Sequence, residues 1–158
     1  MARELSTVDD TRTLGRAIGR ILRAGDLVLL TGPLGAGKTA LAQGIGEGLG
    51  VAGDVTSPTF VIARVHRPDL ARGGRFPMVH VDAYRLGAVA DPRAEVDDLD
   101  LDASVEDSVT LVEWGEGMVE QLSEAYLEVR IERRDDDARA VELVGHGDDW
   151  PGRLATLA

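Results

Sequence analysis

Apolar residues recur at helical spacing early in the chain: Leu14, Ala17, Ile18, Ile21 and Leu22 follow Asp9, Asp10 and Thr11. That spacing predicts an amphipathic helix behind a polar N-cap, ending near Ala24 and Gly25, where glycine can stop it. The pattern then changes. Residues 26–31, Asp-Leu-Val-Leu-Leu-Thr, form a short apolar run suited to a buried parallel strand. From Thr39 the helical period returns with Leu41, Ile45 and Leu49. Gly44, Gly46 and Gly48 lower the propensity of that helix by roughly 1 kcal/mol each, so tertiary packing must hold it.

Residues 55–60, Val-Thr-Ser-Pro-Thr-Phe, read as a loop entering a strand at 59–65, because proline confines its predecessor to extended backbone. Residues 67–75, with Arg67, Pro68, Arg72, Gly73, Gly74 and Arg75, look like a mobile connector to a strand at 76–84. The two strands are expected to pair as a hairpin. After Asp91 and Pro92 comes an acidic segment with Val96, Leu99, Leu101 and Val105 among its carboxylates, which predicts one or two short helices with a solvated face. Residues 108–113 form a clear strand ending in Glu113, and 118–122 suit a short helix. Residues 126–131 and 139–144 alternate as an antiparallel pair around the polar turn 134–137. There is no internal repeat or low-complexity linker, so a single domain is expected over residues 1–145, with 146–158 as a C-terminal tail.

At 158 residues the chain is long enough for one domain with a real core. No stretch approaches 18 uninterrupted apolar residues, and the first residues lack the apolar core of a secretory signal. A cytoplasmic protein that does not enter a membrane is expected. Cysteine is absent, which excludes disulfides and thiolate metal sites. The net charge of −11 argues against high-affinity binding to nucleic acid by this chain alone, since phosphate contacts need basic surface. Any involvement of nucleic acid should come through a partner.

The strand at 26–31 and the helix from Thr39 flank Gly32-Pro33-Leu34-Gly35-Ala36-Gly37-Lys38-Thr39, which fits the pattern G-x-x-x-x-G-K-[ST] of a phosphate-binding P-loop. Glycines let successive backbone amides turn onto an anion, and the helix N-terminus adds partial positive charge. Lys38 would reach the outer phosphates, and the Thr39 hydroxyl would ligate magnesium. A glycine-rich turn merely joining strand to helix is the plainer alternative. Against it, Lys38 is the only lysine among 17 basic residues. A flexible ammonium does there what a planar guanidinium does not.

Hydrolysis also needs an acidic group near the metal, usually at the end of a neighbouring buried strand. Glu113 and Asp82 both end apolar strands, although either could be a solvated strand cap. Thr56, Ser57 and Thr59 follow the P-loop helix, where nucleotide switches keep hydroxyls, but such residues are also ordinary in turns. Arg85 is equally suited to stabilising transition-state charge and to pairing with the acidic segment. His80 alternates with Val79 and Val81, so it faces the other way, where a structural hydrogen bond is its expected role.

Several blocks in order resemble one family. They are the Thr11-x-x-x-Gly15 entry to the first helix, the P-loop, Val55-Thr-Ser-Pro-Thr-Phe60, His80-Val-Asp-Ala-Tyr-Arg-Leu86 and Leu111-Val-Glu-Trp-Gly-Glu116. Together they resemble TsaE, also called YjeE, the small ATPase of bacterial tRNA threonylcarbamoyladenosine modification. The likeness spans roughly residues 9–145. It implies an α/β P-loop NTPase fold with a mixed, mostly parallel central sheet flanked by helices and antiparallel strands at the edge. It implies ATP and Mg2+ as cofactors, with Lys38, Asp82 and Glu113 catalytic, and Thr39, Glu113 and Asp82 around the metal. Leu34, Gly35, Ala36, Gly37, Lys38, Thr39 and Ala40 would bind the nucleotide, and Thr11 would lie near its adenine. It also implies docking on the TsaB–TsaD complex, and on tRNA through that complex. ATP hydrolysis there supports repeated transfer of threonylcarbamoyl to adenosine 37.

Two other readings use the same loop. In a small P-loop kinase, Arg64, Arg67, Arg72 and Arg75 would form a lid over the phosphates. In a non-catalytic module, bound ATP would only create a docking surface. A Ras-type GTPase is excluded, because its Asn-Lys-x-Asp element needs a second lysine.

Overall fold

The computed structural model describes residues 1–33, 36–53, 55, 63–82, 106–113, 124–134 and 138–157. They form a seven-stranded sheet in the order β1-β7-β6-β2-β5-β4-β3, with three helices. The strands are β1 (Ala2–Leu5), β2 (Leu27–Thr31), β3 (Ala63–His66), β4 (Met78–Asp82), β5 (Val109–Glu113), β6 (Tyr126–Arg133) and β7 (Arg139–His146). The helices are α1 (Val8–Ile21), α2 (Lys38–Leu49) and α3 (Trp150–Ala155).

The four central strands β6, β2, β5 and β4 run parallel, and every edge pairing is antiparallel. This is the α/β class with a mixed sheet that the resemblance implies. The expected hairpin is β3–β4, and the expected antiparallel pair is β6–β7. Leu27 to Leu30 are all buried, as a strand with partners on both sides requires.

Val28, Leu30, Leu111, Leu127 and Val129 turn one face of the sheet toward Ile18, Leu22, Leu41 and Ile45 of the first two helices. Gly15 lies so close to α2 that an added Cβ would stand 2.5 Å from the Leu41 carbonyl oxygen and 2.9 Å from Gly44 Cα. One turn on, Gly19 meets Gly48 in the same way. Two of the glycines that weaken α2 as an isolated helix, Gly44 and Gly48, are what allow α1 to approach it, while Gly46 makes room for Val51 and Val55. α1 begins one turn earlier than the sequence pattern implies. Its N-cap is Thr7, whose hydroxyl accepts from the Asp10 amide while Asp10 returns a bond to the Thr7 amide.

Residues 67–75 are not a loose connector. The Asp69 amide donates to the Gly50 carbonyl at 2.8 Å, the Ala52 amide to the Arg67 carbonyl at 2.7 Å, and Arg75 to the carbonyls of Gly19 and Arg20. A short 3-10 turn, Leu70–Arg72, completes the segment. Glycine makes this possible, since a Cβ on Gly50 would meet the Gly74 amide nitrogen at 2.7 Å.

Residues 150–155, left unassigned by the sequence pattern, form α3. Trp150 is buried in the core, and the Arg153 guanidinium lies 4.0 Å from its ring centroid. Arg153 forms a two-pronged ion pair with Asp26, at the start of β2, and donates to the Ile21 carbonyl. Burial pushes the Asp26 carboxyl above its usual range, outweighing the Arg23 amide and the Arg153 charge.

Candidate functional site

Parallel strands place their carboxyl ends along one edge of the sheet, and ligands of α/β proteins bind beyond that edge. β2 delivers the glycine loop there. Gly37 is the N-cap of α2 at φ 107°, a conformation that side chains rarely adopt. A Cβ on it would also stand 3.3 Å from Ile131 Cδ1 and 3.5 Å from Arg139 Nε. A side chain on Gly32 would strike the Ile131 carbonyl. Both positions need glycine because β6 and β7 press on the loop from behind.

No side chain caps α2, so its first amides project toward the loop with the positive end of the helix dipole. Lys38 is its first residue and is only 6% exposed. Thr39 follows, exposed at the second position, and Ala40 is half-buried at the third. Ala36 is buried. Leu34 and Gly35 lie outside the described residues, as do Thr56, Ser57, Thr59 and Arg85.

Glu113 ends β5 in register with Leu30 of β2 on one side and Asp82 of β4 on the other. Adjacent strands are about 4.8 Å apart, so Glu113 stands one strand from β2, two residues before the glycine loop. Glu113 is only 4% exposed. His80, wholly buried, holds it through a 2.8 Å bond between Nε2 and Glu113 Oε2. With Glu113 ionised, the imidazole is the donor. His80 therefore makes the structural hydrogen bond expected of it, and the partner is one of the two carboxylates singled out for the site.

Thr11 is buried in the first turn of α1, its hydroxyl donating to the Thr7 carbonyl at 3.4 Å. Gly15 meets Gly44 and Gly19 meets Gly48. Extending that register back one turn sets Thr11 opposite Ala40, beside the loop end of α2. Behind the loop, Thr31 donates to the Val129 carbonyl at 3.4 Å and fastens β2 to β6. Sequence reasoning missed one neighbour of the site and one bond within it. The neighbour is Arg139, whose proximity to Gly37 depends on the β6–β7 hairpin. The bond is that between His80 and Glu113, which needed the β4–β5 register.

The start of α2 offers an anion its uncapped first amides and the buried Lys38 ammonium. Thr39 and the Glu113 carboxylate carry oxygens of the kind that could hold a hard cation, while the Asp82 side chain lies outside what the structure describes. Among the described residues no group of three or more His, Asp or Glu could hold a metal by itself.

Fold and site together define an α/β protein in which a glycine loop opens a helix at the carboxyl edge of a parallel core. A family model described as threonylcarbamoyl adenosine biosynthesis protein TsaE matches residues 5–141. The tRNA threonylcarbamoyladenosine biosynthesis protein TsaE of Streptomyces coelicolor is 58% identical over 143 residues, covering 88% of this chain and 93% of that one. The protein of the same description from Bacillus subtilis is 34% identical, covering 90% and 84%. The crystal structure of YdiB, also from Bacillus subtilis, superposes with a TM-score of 0.78 at 27% identity, covering 99% of this chain and 93% of that one. The chain belongs to the TsaE family of threonylcarbamoyladenosine biosynthesis. No helix among the described residues is long and apolar enough to cross a membrane.

Proposed function

We propose that the chain is the magnesium-dependent ATPase of the tRNA threonylcarbamoyladenosine machinery, acting in the cytoplasm with the TsaB–TsaD complex and meeting tRNA through it. The observation that carries this reading is the convergence at one sheet edge. Lys38 begins an uncapped helix behind Gly37, and Glu113 stands one strand away in register with Asp82. In this reading the glycine-loop amides and Lys38 hold the outer phosphates, while Thr39, Glu113 and Asp82 hold the metal and its waters. Leu34, Gly35, Ala36 and Ala40 would bind the nucleotide with them, as the resemblance implies. Magnesium supplies charge neutralisation across the phosphates as the terminal bond breaks. Thr11, opposite Ala40, would lie near the adenine, as the resemblance implies.

Of the four arginines of the kinase reading, Arg67, Arg72 and Arg75 are disfavoured as a lid by their position. Their segment is bonded to Gly50, the C-cap of α2. Twelve helical residues separate that end from the glycine loop by about 18 Å. The acidic β5 terminus also favours hydrolysis over a purely docking role, because nucleotide binding alone would not require Glu113 to be buried and hydrogen-bonded at this place.

Phosphate release from ATP, measured with and without purified TsaB–TsaD and tRNA, tests the proposal. Slow release that rises with the partners is expected, and absence of stimulation removes the assigned partnership. Glu113→Gln should retain nucleotide binding and lose turnover; wild-type turnover in that variant removes Glu113 from the site.

A further inference from the structure

We propose that His80 is the positioning residue of this site, fixing Glu113 in the rotamer that serves the nucleotide-bound magnesium; the inference rests on the ATPase reading above. A glutamate reaches its carboxylate through three rotatable bonds. Here His80 Nε2 holds it, 2.8 Å from Oε2. The bond is shielded from water, since the imidazole is wholly buried and the glutamate nearly so. In such surroundings a carboxylate needs a hydrogen-bond donor, and the direction of that donor decides where the second oxygen points.

The register makes the contact diagonal. His80 is aligned with Leu111, and Glu113 lies two residues further along β5. His80 thus approaches Glu113 from further back along the sheet, on the side away from the carboxyl ends of the strands. The bond is not required to pair the strands, because β4 and β5 are joined over five consecutive residue pairs from Met78–Val109 to Asp82–Glu113. Simple filling of the core does not account for it either. An apolar side chain would fill the space beside Leu111 equally well, but would leave Glu113 Oε2 without this donor.

Two substitutions separate positioning from packing. In His80→Gln the amide nitrogen takes the place of Nε2 and can still donate to Glu113. In His80→Asn it takes the place of Nδ1 and falls short. Calorimetric titration with ATP in EDTA and in Mg2+ gives the magnesium enhancement of affinity for each protein. His80→Gln should stay close to wild type, whereas His80→Asn should lose about tenfold or more of the enhancement with unchanged affinity in EDTA. In a Glu113→Gln background His80→Asn should do nothing further. Wild-type enhancement in His80→Asn overturns the inference. So does an equal fall in both His80 variants, whatever their melting temperatures. A wild-type protein with no magnesium enhancement would instead overturn the site reading, and this inference with it.

Discussion

Gly15 of α1 and Gly44 of α2 meet backbone to backbone, with no room for a methyl group on either. α1 thereby fixes the helix whose first residue is Lys38. Replacing Gly44 by alanine raises intrinsic helix propensity by about 1 kcal/mol. It also drives a Cβ into the Arg12 backbone, and overpacking of this kind costs about 1–3 kcal/mol or more when backbone must move.

The clash should win at Gly44. Urea unfolding of Gly44→Ala is expected to show a net loss of about 1–3 kcal/mol. Gly152 in α3 has nothing within 4 Å of its Cβ position, so Gly152→Ala should be neutral or more stable by up to about 1 kcal/mol. Equal effects at the two positions would contradict the close helix contact.

The C-terminal helix is held by the Arg153–Asp26 pair and by Trp150. Arg153→Met would leave the Asp26 carboxyl at the start of β2 without its partner, and breaking a largely buried pair costs about 2 kcal/mol or more. Chemical unfolding should register that loss. A change below about 0.5 kcal/mol would place the pair with ordinary surface contacts.

Legibility in the sequence followed how local each cause is. The β2–loop–α2 unit, β5 and the β6–β7 pair declare themselves through apolar runs and turn residues close in the chain. β1 does not, because Ala2-Arg3-Glu4-Leu5 acquires its strand form from β7, some 135 residues away by the Leu5–Arg139 register. α3 contains Pro151 and Gly152 and has little helix propensity of its own; distant contacts of Trp150 and Arg153 stabilise it. Likewise the side on which His80 faces was legible from the valines flanking it. Its bond to Glu113 was not, since that depends on two strands 33 residues apart lying parallel in one register.

His66, at the end of β3, supplies a pH dependence. Burial, with smaller contributions from His80 and Arg64, holds its imidazole below the ordinary 6.5. The unfolded chain therefore takes up this proton more readily than the folded one. Stability contributed at this position is intact above about pH 6.5 and declines as pH falls toward the lower folded value. Urea curves at about pH 7 and about pH 5.5 should show a smaller drop in His66→Gln than in wild type. Equal drops would show that this proton does not couple to folding.

Calorimetric titration of ATP into the wild-type chain and into Lys38→Ala, both in magnesium, tests the central claim most directly. Saturable binding at one site is predicted for wild type, and no measurable binding for a Lys38→Ala protein that unfolds at the wild-type temperature. ATP affinity unchanged by the substitution would contradict the assignment of the glycine loop as the nucleotide site.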